Sequence, residues 1–104
     1  MSEVEHKVNH FITKSPALTD ELYDLLRENG MSMRGLARAA HVSLTLVSGM
    51  LHWERPGKVS KNKGSLVIEA VAGNAQQAVK LFSLAGIDVY RFKGKGSRRL
   101  FKLV

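Results

Sequence analysis

The sequence predicts an α+β fold, in which a helix-turn-helix bundle precedes a small βαββ (or ααββ) unit that ends in a basic β-hairpin. Three observations predict this fold. Residues 16–56 contain three short segments with helical spacing of apolar side chains, separated by start and stop signals. Residues 87–92 and 99–104 are strand-like and flank a glycine-rich turn. The length of 104 residues suits one domain, or two small units that share a core.

The first helix is expected to begin at Ser15-Pro16, a capping residue followed by proline in the first turn. It is expected to stop at Asn29-Gly30, which supplies a left-handed cap. One face of this helix carries Leu18, Leu22, Leu25 and Leu26. Before it, residues 1–15 form an N-terminal segment whose scattered apolar positions allow a short amphipathic helix.

The second and third helices are short. Residues 32–40 predict a helix with Ser32 as its N-cap, and Ser43 is placed to cap a third helix that runs to about Trp53. Pro56-Gly57 ends the third helix, and Trp53 is expected to close the core. Together, residues 16–56 form the predicted helix-turn-helix domain. Residues 57–64 are polar and basic without periodicity, which predicts a linker or loop.

Residues 65–104 form the predicted C-terminal unit. The apolar run at residues 66–72 is rich in β-branched side chains and fits a strand or a helix, with the strand preferred. Asn74 and Gln77 resemble a capping box, which predicts a helix that ends at Gly86. Two strands around a turn at residues 93–97 complete the unit.

The composition limits the chemistry. The absence of cysteine excludes disulfides, thiolate zinc sites and cysteine nucleophiles. No Ser/His/Asp constellation has a context that supports catalysis, so we expect neither an enzyme nor a bound metal or cofactor. No apolar run approaches the about 18–20 residues of a membrane helix, and the first residues do not resemble a signal peptide. We therefore expect a cytoplasmic protein with no membrane partner.

The charge points to an acidic partner. The chain has 16 Lys and Arg against 9 Asp and Glu, a formal net charge of +7. Residues 1–30 are acidic, with three basic and six acidic side chains. Residues 31–64 have six basic and one acidic, and residues 65–104 have seven basic and two acidic. The positive charge thus lies in two zones, which are either solvated faces or two surfaces that face a polyanion such as nucleic acid.

The break between the second and third helices has the pattern of a helix-turn-helix. A second helix that packs steeply on the third needs a small residue in its middle, and Ala37 is there. The remaining positions that must be apolar are occupied by Leu36, Ala40, Val42, Val47 and Met50 (or Leu51).

The stretch LARAAHVSLTLVSGML, residues 36–51, resembles the lambda repressor and Cro type (XRE-like) of helix-turn-helix DNA-binding proteins. The resemblance covers residues 18–56. His41 stands where that family usually has glycine, and histidine tolerates the left-handed backbone that the turn requires, at some cost. That family usually has two further helices after the recognition helix, whereas residues 65–104 here predict a different unit.

The resemblance implies that the third helix, residues 43–53, enters the major groove of DNA. The residues expected to face the bases are Ser43, Leu44, Thr45, Ser48, Gly49 and His52. None is an arginine or asparagine placed for a bidentate base contact, so direct readout is expected to be modest and DNA shape to have a larger share.

The basic side chains are the expected phosphate contacts. Arg34 matches a position where the resembled family touches phosphate, and Arg38 either does so or pairs with Asp24 or Glu28. The complete set is Arg34, Arg38, Arg55, Lys58, Lys61, Lys63, Arg91, Lys93, Lys95, Arg98 and Arg99.

The C-terminal hairpin has two interpretations, a structural hairpin with a soluble tip or a wing whose tip reaches a DNA groove. The density of cations favours the wing. A three-stranded sheet covered by one helix leaves one apolar face open, which predicts a homodimer formed through this unit.

The leading functional expectation is a sequence-specific double-stranded DNA-binding transcriptional regulator, a dimeric repressor of phage, plasmid or small bacterial operon type. One alternative is an antitoxin-like adaptor that binds a protein partner through residues 65–104 and regulates its own synthesis through the helix-turn-helix. Another is an RNA-binding module that uses the basic hairpin.

Overall fold

In the computed structural model, which describes residues 10–91 and 101–103, the chain forms five α-helices in succession and one short pair of strands. The helices are α1 (Pro16–Glu28), α2 (Met33–Ala40), α3 (Leu44–Leu51), α4 (Lys61–Val71) and α5 (Ala75–Leu84). The strands β1 (Val89–Arg91) and β2 (Phe101–Leu103) are antiparallel, with Val89 opposite Leu103.

The predicted α+β class is wrong, because the described residues form an all-α structure apart from two strands of three residues each. The apolar run at residues 66–72, for which a strand was preferred, lies almost entirely in α4. Its buried side chains, Val67, Ile68 and Val71, are spaced for one face of a helix. Burial of that face against the other helices overrides the strand preference of the β-branched residues. A βαββ unit is therefore not formed by the described residues, and neither is the open sheet face from which a dimer was predicted.

The predicted linker, residues 57–64, is shorter in the structure because α4 begins within it. The Ser60 hydroxyl accepts a hydrogen bond from the Lys63 backbone N–H at 3.2 Å and so caps the helix. Residues 61–64, which belong to the segment predicted as a basic linker, are the first turn of α4. Because Ser60 is followed by three polar residues, the sequence has no apolar periodicity there that would predict the beginning of α4.

The C-terminal strands are only three residues each. Val89 and Leu103 are partly buried against the helical core. The greater part of the predicted basic hairpin, including Lys93, Lys95, Arg98 and Arg99, lies outside the described residues, as does the side chain of Arg91. The prediction of a DNA-contacting wing therefore stays a prediction.

The predicted caps are confirmed. Ser15, Ser32, Ser43 and Asn74 each accept a hydrogen bond from a backbone N–H three residues later, at 2.9 to 3.2 Å. Gly30 and Gly86 have positive φ angles of 60° and 71°, as expected for residues that stop α1 and α5. Caps of this kind each contribute about 1 kcal/mol to helix stability.

Residues 10–13 are held by backbone hydrogen bonds to two other parts of the chain and are not helical. Ile12 N–H donates to the Val59 carbonyl at 2.9 Å, and Thr13 N–H donates to the Ala85 carbonyl at 2.8 Å. The Lys61 N–H donates to the His10 carbonyl at 2.8 Å. This segment therefore joins the beginning of α4 to the end of α5. Residues 1–9 of the predicted N-terminal helix lie outside the described residues.

All five helices contribute to one hydrophobic core. Its fully buried side chains include Leu18, Leu22, Leu25, Leu36, Met50, Leu51, Ile68, Leu81 and Phe82. Helix α2 contacts α3 and α4, and α1 contacts α3, α4 and α5. The helix-turn-helix and the helices that follow it are therefore packed around a common interior.

The close contact of residues 10–13 with α4 gives a stability prediction. A Cβ added at Gly64 would lie 2.8 Å from Cγ2 of buried Ile12, a β-branched side chain that cannot swing away. We expect Gly64→Ala to lower the free energy of unfolding by about 1–2 kcal/mol, even with the better helix propensity of alanine. Urea denaturation measures the change.

Gly49→Ala is the matched control. A Cβ at Gly49, in the middle of α3, has no atom within 4 Å. This substitution should raise the free energy of unfolding by about 0.5–1 kcal/mol, because alanine loses less backbone entropy in a helix. Equal effects at the two glycines would contradict the close approach of Ile12 to α4.

Candidate nucleic-acid interface

The turn between α2 and α3 is left-handed at His41. Its φ and ψ angles are 58° and 42°, and it is the one non-glycine residue with positive φ in the described part of the chain. The His41 N–H donates to the Arg38 carbonyl at 3.2 Å, and the Val42 N–H donates to the Ala37 carbonyl at 3.0 Å. These bonds satisfy carbonyls at the end of α2. The expectation that His41 tolerates the left-handed backbone of this turn is confirmed.

The apolar positions predicted for the helix-turn-helix are buried. Ala37, Ala40, Val47, Met50 and Leu51 all belong to the hydrophobic core, and so does Leu36. Val42 is partly buried and packs against the same core. The inward face of α3 is therefore apolar, while the opposite face is left to solvent.

The left-handed turn predicts different effects for two substitutions at His41. Its side chain is exposed, so little packing is lost on replacement. We expect His41→Val to lower the free energy of unfolding by about 1–2 kcal/mol, because a β-branched residue is strained in this conformation. His41→Gly should stay within about 0.5 kcal/mol of wild type, since relief of strain offsets the extra freedom of the unfolded chain.

Thermal and urea denaturation of both variants test this prediction. A His41→Val variant as stable as the wild type would be inconsistent with a left-handed residue at position 41.

The outward face of α3 forms one wall of a groove. Ser43, Leu44 and Thr45 are exposed at its N-terminal end, and Ser48 and Gly49 are half-buried one turn later. All five line a groove of about 590 Å³, whose other wall comes from residues 55–59 and from Lys14. Five of the six residues predicted to face DNA bases are thus brought together.

His52 does not line this groove. It is the C-cap of α3, half-buried, with its ring Nδ1 2.7 Å from the Ser48 carbonyl oxygen. Helix α3 therefore ends at Leu51 and not at Trp53. The chain turns here, since the Arg55 N–H donates to the His52 carbonyl at 3.0 Å. As a result Trp53 is 45% exposed, and the expectation that it closes the core is wrong.

Three cations border the groove. Arg55 Nη1 donates to the Ser48 hydroxyl at 3.1 Å, and Lys14 Nζ donates to the Arg55 carbonyl at 2.9 Å. Lys58 Nζ lies 5.0 Å from the centre of the Phe11 ring. None of the side chains that line the groove is acidic. The groove is consequently a positive concave surface with hydroxyl, aliphatic and glycine positions on α3.

Lys14 was not among the residues predicted for binding. Nothing in its sequence neighbourhood connects it to α3, because it is 41 residues from Arg55. The backbone hydrogen bonds of residues 10–13 bring it to the groove.

The other predicted phosphate contacts lie elsewhere on the surface. Arg34, Arg38 and Lys63 are exposed, and Lys61 is half-buried at the start of α4. Arg38 forms no ion pair with any described carboxylate, whereas Asp24 pairs with Arg27 at 3.7 Å. The Glu28 carboxylate lies 3.5 Å from the Gln77 side-chain nitrogen. The structure therefore gives no support to the alternative in which Arg38 pairs with the first helix.

Two other features are absent from the described residues. Within residues 10–91 and 101–103, no three His, Asp or Glu side chains are grouped to hold a metal ion. None of the helices in the same part of the chain combines the length and apolar character needed to cross a bilayer. Comparison with protein-family models, curated proteins and solved structures finds no match for this chain.

Proposed function

We propose that the protein is a sequence-specific double-stranded DNA-binding regulator that inserts α3 into the major groove. The observation that carries the proposal is the composition of the groove. Short hydroxyl and aliphatic side chains of α3 stand beside Lys14, Arg55 and Lys58, with no carboxylate in the lining. Such a surface is attractive to phosphate and lets a helix approach base edges closely.

The dimensions and chemistry of α3 suit base recognition. The major groove is about 12 Å wide and admits an α-helix. The exposed hydroxyls of Ser43 and Thr45 can donate or accept hydrogen bonds at base edges, and Leu44, 38% exposed, offers an apolar contact for a thymine methyl group.

The order of helices supports the same proposal. Helices α4 and α5 follow α3 directly. Two helices after the recognition helix are usual in the XRE-like proteins that residues 36–51 resemble. By its composition, the chain after residue 56 seemed to depart from that resemblance. Because it forms two helices within residues 61–84, it fits the resemblance better than the composition indicates.

A homodimer on a short palindromic site completes the proposal. One eight-residue recognition helix reaches only a few base pairs, and two copies related by a two-fold axis would read half-sites about one helical turn apart. Action as a repressor in the cytoplasm is part of the same proposal. The prediction that residues 65–104 bind a protein partner is less favoured, because α4 and α5 place Val67, Ile68 and Phe82 in the core.

A charge placed on α3 tests the proposal. Thr45→Glu puts a carboxylate at an exposed position of the groove, where it would meet phosphates and base acceptors. We expect affinity for the selected duplex to fall to the non-specific level, a loss of about a thousandfold or more. The fold should persist, since the side chain is exposed.

The control is Val79→Glu, which adds the same charge at a 50% exposed position of α5 outside the groove. Its affinity should stay within about threefold of wild type. The site is first selected from a random duplex pool, and binding is measured by fluorescence anisotropy on duplex DNA and on structured RNA. Equal loss in both variants, or a preference for RNA, would contradict the proposal.

A further inference from the structure

Arg55 is held over the face of α3 that is proposed to enter the DNA groove. Its guanidinium is hydrogen-bonded to Ser48, which is four residues after Leu44 and so on the same helix face. Both residues line the groove with it. The sequence places Arg55 in the loop after the recognition helix, where it was assigned to phosphate with the other cations.

The backbone of Arg55 is held by two hydrogen bonds, and its side chain is held by one. The Arg55 N–H donates to the His52 carbonyl at 3.0 Å, and the Arg55 carbonyl accepts from Lys14 at 2.9 Å. With the bond from Nη1 to Ser48, the residue is fixed at three points. A long side chain that is already ordered loses less conformational entropy when it binds a ligand.

The guanidinium keeps most of its hydrogen-bonding capacity. It has five N–H donors in a planar fork, of which one is directed to Ser48. Arg55 forms no ion pair with a carboxylate among the described residues. Free donors in the wall of the groove match the two acceptors, O6 and N7, that guanine presents in the DNA major groove.

We infer that Arg55 reads a guanine base, with Ser48 as the positioning residue that directs its guanidinium. The inference rests on the proposed function. It supplies the bidentate contact that the side chains of α3 itself do not provide, because they are short and neutral. Direct readout is then stronger than the sequence of α3 indicates.

Arg55→Gln is the decisive variant. Glutamine pairs with adenine through N6 and N7, so a base-reading residue at this position should change its preference from guanine to adenine. We expect the affinity of Arg55→Gln for the wild-type site to fall about tenfold. The variant should bind the site with adenine at that one position more tightly than it binds the wild-type site. A phosphate contact cannot change base preference.

Lys58→Gln removes the same charge from the same loop and groove and is the matched control. It should weaken binding to every duplex by a similar factor and reduce the slope of log affinity against log salt by about one, with the base preference unchanged. Thermal denaturation of both variants verifies that they are folded, as expected for exposed side chains.

Replacement of guanine by 7-deazaguanine locates the contact. For the wild-type protein, replacing one particular guanine of each half-site should lower the affinity for the duplex about tenfold, because N7 is removed. For Arg55→Gln, the same replacement should leave the affinity unchanged. In Ser48→Ala, the drop in affinity caused by 7-deazaguanine should become smaller at that guanine and at no other. In Ser48→Thr, which keeps the hydroxyl, the full drop should return.

Two results separate the inference from the proposed function. If wild type selects a duplex sequence but Arg55→Gln weakens all sequences equally, Arg55 contacts phosphate and the inference is overturned alone. If wild type selects no duplex sequence, the proposed function fails and the inference fails with it.

Discussion

The left-handed backbone of His41 is the constraint on which the exposed face of α3 depends. Only three residues separate the end of α2 at Ala40 from the start of α3 at Leu44, and the chain changes direction here with a positive φ at His41. A different backbone conformation at the turn that rotated α3 halfway around its axis would exchange the buried and exposed sides of this helix. Val47 and Met50 would then be exposed to solvent, and Leu44 and Thr45 would be buried.

The second wall of the groove depends on a different contact. Residues 10–13 hydrogen-bond to Val59 and to Ala85, and Ile12 approaches Gly64 so closely that a side chain there would collide. This packing carries Lys14 to the Arg55 carbonyl. The stability of the N-terminal segment and the position of Arg55 are therefore coupled, although the two are far apart in sequence.

The sequence predicted the parts of the structure that are encoded locally. Capping side chains, the glycines after α1 and α5, and the small and apolar positions of the helix-turn-helix each act within a few residues, and the structure agrees with them. The strand preferred at residues 66–72 was wrong because that segment is ambiguous until its buried partners are known. The hydrogen bonds from Lys14 to the Arg55 carbonyl and from Arg55 to the Ser48 hydroxyl depend on tertiary packing, so no local sequence pattern predicts them.

The distribution of charge gives the last step, from fold to mode of binding. Two carboxylates of α1 form ion pairs away from the groove, Glu21 with Lys80 at 3.2 Å and Asp24 with Arg27 at 3.7 Å. The groove itself keeps Lys14, Arg55 and Lys58 with no acidic neighbour in its lining. Among the described residues, this side of the molecule is therefore attractive to a polyanion. In the proposed complex, attraction by phosphate alone would be indifferent to sequence, and Lys58 would contribute no more than that. Arg55 differs because its guanidinium is hydrogen-bonded to Ser48 on α3. In the proposed complex, the same positive charge that attracts DNA would therefore also present an oriented donor to the bases.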